Sequence, residues 1–216
     1  MKKFAIFDLD GTLMDTIEDL FYAMNAMLRE MQYPEITREQ VRAFIGNGAR
    51  EFVRLSVAHS TSDEVKVDEC LRVYRRIYDA ESTKRSEVFA GILPALDDLK
   101  TEGVRLAVLS NKPDSATIAV ISEYFGNRFE VVMGQREGIP VKPDPAGVRL
   151  VLEMLGALPE ESVFVGDGET DCLTAKAAGL SHIAVLWGYR TREELSAYGA
   201  EVFAETPAEM ERLILK

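Results

Sequence analysis

Asp8 and Asp10 stand one residue apart, directly after the apolar run Phe4-Ala5-Ile6-Phe7. An apolar run of this length reads as a buried strand. Side chains alternate across a strand, so both carboxylates share one side if the strand continues that far. Gly11 and Thr12 then turn the chain. Carboxylates at the carboxyl end of a strand are poor core residues. They are well placed for a ligand, because open α/β sheets bind ligands outside the carboxyl ends of their strands.

Three later segments supply what two such carboxylates would need. Ser110-Asn111-Lys112 follows the strand-like run Val104 to Leu109. A hydroxyl, adjacent amide groups and a following helix N-terminus make a phosphate cradle. Lys142, in Lys142-Pro143-Asp144-Pro145, can neutralise a phosphoryl group, with the prolines fixing the chain direction. Gly166-Asp167-Gly168-Glu169-Thr170-Asp171 adds the carboxylates that a hard cation requires. Each segment has a plain structural reading: a polar turn, a helix start, acidic residues favoured by a helix dipole. Their occurrence together, each at the end of a strand, is far more specific. Two nucleotide-binding patterns are excluded. Asp171 occupies the position where a GxGxxG fingerprint needs its third glycine, and no GxxxxGK[ST] segment is present.

The elements that must position these residues follow from pattern. Residues 16 to 82 read as helices only, with a capping box from Thr37 to Gln40, a Gly46-Asn47-Gly48 turn, and a last helix turning Val65, Leu71, Tyr74 and Ile77 or Tyr78 inward. From Val88 onward strands alternate with helices: strands near 104–109, 129–133, 163–165, 182–186 and 202–203, and helices including 113–125, 143–155 and 169–178. This alternation predicts an α/β fold with a Rossmann-like, mainly parallel sheet built from both ends of the chain. The helical stretch is an insert expected over the sheet's carboxyl edge. The predicted organisation is a catalytic core from residues 1–15 and 83–216 and a helical domain from 16–82.

The chain has 216 residues with 47% hydrophobic, enough for one substantial core and a smaller second one. A formal net charge of -11 argues against nucleic acid as a partner. No apolar run approaches a membrane span. Asp8 and Asp10 interrupt the apolar start before a signal peptide could form. Cys70 and Cys172 fit neither a disulfide framework nor a CxxC metal site, and predict packed thiols in a cytoplasmic protein.

With these motifs in this order, the chain resembles the haloacid dehalogenase (HAD) superfamily, in its phosphoglycolate phosphatase-like branch. Asp8 to Asp15 resembles the first motif, Ser110-Asn111-Lys112 the second, Lys142-Pro143 the third, and Gly166-Asp167 with Asp171 the fourth. Trp187-Gly188-Tyr189 is similar to a stretch frequent in that branch, and residues 16–82 match its helical cap of type C1. The resemblance implies Asp8 as nucleophile and Asp10 as general acid and base. It implies Mg²⁺ held by Asp8, the Asp10 carbonyl, Asp167 and Asp171, and phosphate held by Leu9, Gly11, Thr12, Ser110, Asn111 and Lys142. Gly168 and Thr16 each replace a serine frequent in the pattern, and neither removes a metal ligand. Gly46, Asn47, Gly48 and Arg50 are candidate substrate readers on the cap, set against a plain interhelical turn with a surface arginine. The implied partner is a small phosphorylated metabolite, on a monomer or homodimer. The competing expectations are a sugar phosphomutase of the β-phosphoglucomutase kind, a pyrophosphatase, and a phosphate-binding regulatory protein without turnover.

Overall fold

The computed structural model describes residues 1–81 and 84–216. The chain forms two compact units, one from Met1–Met14 and Val88–Lys216, the other from Asp15–Glu87. The expected boundary at 82/83 lies outside the described residues.

The first unit is a three-layer α/β structure. Its strands are β1 (Phe4–Phe7), β4 (Arg105–Pro113), β5 (Val131–Gln135), β6 (Ser162–Gly166), β7 (Ser181–Val185) and β8 (Phe203–Ala204), in the order β5-β4-β1-β6-β7-β8. Every pairing is parallel. The first strand is therefore central. The chain builds outward from it on one side, returns, and builds outward on the other. That reversal opens a crevice at the carboxyl ends of the middle strands. Period-two alternation explains why β1 is apolar throughout. Ala5 and Phe7 face a core shared with α5 (Ile92–Thr101), α6 (Asp114–Phe125) and α10 (Pro207–Ile214). Phe4 and Ile6 face the opposite core, with α7 (Ala146–Leu155) and α8 (Glu169–Ala178). A short helix, α9 (Arg192–Ala197), is opened by a capping box between Thr191 and Glu194.

Among the described residues the second unit holds four helices, α1 (Ile17–Glu30), α2 (Arg38–Phe44), α3 (Ala49–Val57) and α4 (Glu64–Glu81). The expected Thr37–Gln40 box is present. Asn25 binds the Ile36 main chain in both directions, at 3.0 and 2.9 Å, and so fixes the turn after α1. In its core Tyr74 stacks on Tyr78 and meets Phe52 edge-on. Val65 does not turn inward: it is 75% exposed, and the buried stripe of α4 is Val67, Cys70, Leu71, Tyr74 and Tyr78. Val65 falls off that stripe because helical spacing from Val67 selects the other face. The chain passes between the units through β2 (Met14–Asp15) and β3 (Glu87–Val88), which pair as a two-stranded sheet.

Two further expectations shift. The strand expected to end at Leu109 runs to Pro113, with an irregularity after Leu109, so Ser110, Asn111 and Lys112 lie within β4. The helix expected from Pro143 starts at Ala146, because Asp144 Oδ1 caps the Ala146 N–H at 2.8 Å and leaves Lys142 in the preceding loop.

Candidate active site

Register brings the motifs level. Phe7 pairs with Val108 on one side and with Val165 on the other. Asp8 therefore stands level with Leu109 and Gly166, one position before Ser110 and Asp167, and its N–H continues the ladder to the Val165 carbonyl at 2.9 Å. Asp8, Asp167 and Asp171 offer carboxylate oxygens that all lie within 4.8 Å of one another. Lys142 enters the cluster with its Nζ 2.6 Å from Asp171 Oδ1 and 2.9 Å from Asp8 Oδ1. Its direction comes from Asn111, whose side-chain amide donates to the Lys142 carbonyl at 2.9 Å and accepts from its N–H at 2.8 Å.

Three carboxylates against one ammonium leave two negative charges in a site where Asp167 and Asp171 are buried. Burial pushes the Asp8 carboxyl up to about 7, opposed by Lys142 and reinforced by Asp171. Burial, then Asp171 and Asp8, push Asp167 up to about 8. Burial works against a charged Lys142, yet Asp171 and Asp8 hold its pKa above the ordinary lysine range. An oxygen-only donor set with excess negative charge fits a hard divalent ion such as Mg²⁺.

The supports are as specific as the ligands. Thr12 Oγ1 donates to Asp167 Oδ1 at 2.9 Å, and the Tyr189 N–H donates to Asp167 Oδ2 at 2.8 Å. The Gly168 N–H donates to Asp171 Oδ2 at 2.9 Å. Gly11 has φ +85°, and a Cβ there would meet Asp167 Oδ2 at 2.3 Å. Trp187 Nε1 donates to the Thr12 carbonyl at 2.9 Å, so the segment after β7 braces the first motif.

The expected phosphate donors need revision in part. The Gly11 N–H is bound to the Met14 carbonyl at 2.8 Å and the Thr12 N–H lies 3.3 Å from the Leu9 carbonyl, because the turn satisfies its own main chain. The Leu9 N–H donates to Asp8 Oδ1 at 2.7 Å. Asn111 acts on the Lys142 main chain. Ser110 is buried and its Oγ accepts from the Lys112 N–H at 3.2 Å. In the helical unit, Gly46 and Gly48 have positive φ, and the Arg50 guanidinium pairs with Glu64 at 2.5 Å and Asp68 at 3.2 Å. Sequence reasoning gave Lys112 no role. It is buried, with Nζ 2.8 Å from Asp10 Oδ1. A lysine three residues after the apolar run 106–109 was the available signal, since buried lysines require partners.

The fold and this cluster define a hydrolase class. The family model for haloacid dehalogenase-like hydrolases matches residues 5–185, and the chain belongs to that family. Among its relatives is phosphoglycolate phosphatase 1 of Pseudomonas aeruginosa, 37% identical over 194 residues, which are 88% of this chain and 71% of that protein. The phosphoglycolate phosphatase of Pseudomonas putida is 34% identical over 213 residues, 96% of this chain and 75% of that one. A solved structure from Lactobacillus delbrueckii subsp. bulgaricus superposes with a TM-score of 0.94 at 31% identity, covering 99% of both chains.

Proposed function

We propose that the protein is a Mg²⁺-dependent phosphatase that hydrolyses small phosphomonoesters through an aspartyl-phosphate on Asp8, with a phosphoglycolate-like compound as substrate. The observation that carries this reading is Lys142 bridging Asp8 and Asp171 beside Asp167 at the carboxyl ends of the central strands. The relatives' names support the substrate class.

In the first step an Asp8 carboxylate oxygen forms a bond to phosphorus as the bond to the leaving oxygen breaks. Asp10, as the carboxylic acid, gives that oxygen its proton. In the second step Asp10 takes a proton from water, the water oxygen bonds to phosphorus, and the Asp8–phosphorus bond breaks. Orthophosphate and the free Asp8 carboxylate are restored. Lys142 and Ser110 meet the phosphoryl oxygens as charge shifts between them. Asn111 keeps Lys142 aimed, and Gly11 and Thr12 keep Asp167 in place. Asp8, Asp167, Asp171 and the Asp10 carbonyl would hold Mg²⁺, which would supply charge neutralisation between anionic nucleophile and anionic phosphate. The helical unit is the proposed cap, with Gly46, Asn47, Gly48 and Arg50 as its substrate contacts.

The test is orthophosphate release from phosphoglycolate, sugar phosphates, nucleotides and pyrophosphate, with and without Mg²⁺, beside Asp8→Asn. Metal-dependent release that disappears in the variant is expected. Release that survives Asp8→Asn would remove Asp8 from the role of nucleophile. No release from any compound would turn the reading towards a mutase or a binding protein.

A further inference from the structure

We infer that Lys112 is a positioning residue for proton transfer: its ammonium group holds the Asp10 carboxylate at the leaving oxygen. The inference rests on the phosphatase reading. Lys112 Nζ lies 2.8 Å from Asp10 Oδ1, with the lysine side chain 3% exposed and the aspartate 22% exposed. An ammonium removed from water this far needs a fixed anionic partner. The lysine is itself anchored. Its N–H donates to Ser110 Oγ at 3.2 Å and its carbonyl accepts from Thr117 Oγ1 at 3.3 Å. On the side of β5, Gly134 packs so closely that a Cβ there would meet the Lys112 carbonyl at 2.6 Å.

Two lysines thus divide two aspartates that are only one residue apart. Lys142 pairs with Asp8 and Asp171 in the cation cluster, whereas Lys112 pairs with Asp10. A carboxylate that must first give and then take a proton works only when it stays within reach of both oxygens. Lys112 provides that restraint from β4, across the sheet from the turn that carries Asp10.

Leaving-group dependence tests the role. An alkyl phosphate such as glycerol 2-phosphate needs a proton on its departing oxygen, whereas p-nitrophenyl phosphate releases a stable phenolate and does not. The constant kcat/KM reports the first chemical step for both. Lys112→Met is expected to lower kcat/KM for the alkyl phosphate about tenfold or more, while changing it less than about threefold for p-nitrophenyl phosphate. Asp10→Asn should show the same profile more strongly, and Lys112→Arg should restore part of the loss. Activity on the aryl ester reports that the variant is folded. Lys112→Gln provides the same comparison should the methionine variant fail to fold. Equal loss on both substrates would make Lys112 a phosphate-binding or structural residue and overturn the inference, as would no loss on either. Wild-type protein inactive on both esters would instead overturn the phosphatase reading itself.

Discussion

His182 lies on β7 opposite Phe164, and neither of its ring nitrogens has a hydrogen-bond partner. Burial drives its pKa down from 6.5 to about 4, with the nearby Asp171 opposing and Lys142 assisting. The native state thus holds a neutral imidazole where the unfolded chain binds a proton. Between pH 6.5 and 4 the unfolded state carries more protons, so stability falls as pH falls through that window, by about 3 kcal/mol in full. His182→Leu removes the titration and an unsatisfied buried polar group. Urea denaturation from pH 7 to 4 should show wild type losing stability relative to the variant, and the variant at least as stable at pH 7. A constant difference across the range would contradict the assignment. Cys172 follows the same logic in the opposite sense. Burial, then the charge on Asp171, push its thiol up to about 12, so it stays protonated beside the site and is no nucleophile.

The segment between β7 and α9 acts as a brace. Trp187 holds the Thr12 carbonyl and the Tyr189 N–H holds Asp167. Between them, a Cβ on Gly188 would stand 2.4 Å from both Asp167 Cβ and the Gly11 carbonyl. Gly188→Ala must therefore displace Asp167, a proposed metal ligand, or the first motif. Disturbed support of this kind lowers metal affinity roughly 10- to 100-fold. The concentration of Mg²⁺ giving half-maximal activity should rise by that factor, and an unchanged value would show that the loop yields without moving Asp167. This brace was visible in the sequence only as a family-like Trp-Gly-Tyr stretch, because its partners Thr12 and Asp167 lie 175 and 22 positions away. The central strand was legible because a short apolar run reads as a buried strand, and the three later motifs gave its two aspartates their meaning. The length of β4 was not, because Ser110-Asn111-Lys112 has the composition of a turn. Its polar side chains stay in a strand because Lys142 and Asp10, distant in sequence, satisfy them. Val65 misled for a simpler reason: one apolar residue near a helix start does not define the stripe.

At the scale of the whole chain, the site joins segments that are remote in sequence. The ligand candidates Asp8, Asp167 and Asp171 all belong to the α/β unit, with Asp8 reaching the others only because β1 inserts between β4 and β6. The protein already carries a net charge of -11, and the cluster concentrates negative charge where water is excluded. Function here opposes stability, since each buried carboxylate repels the next until a cation is present. Asp167→Asn should therefore have two opposite effects in thermal denaturation. In EDTA the variant is expected to melt above wild type, because one of the mutually repelling carboxylates is gone, while the amide oxygen can accept from the Tyr189 N–H and the amide NH2 can donate to the Thr12 hydroxyl. In Mg²⁺ wild type is expected to gain stability by about 2.7 kcal/mol at a concentration 100-fold above its dissociation constant, and the variant to gain almost nothing. Among the described residues no helix is long and apolar enough to cross a membrane. A variant that melts below wild type in EDTA would show that Asp167 is held by its hydrogen bonds more than it is strained by its neighbours. A variant that keeps the full Mg²⁺ shift would take Asp167 out of the metal site.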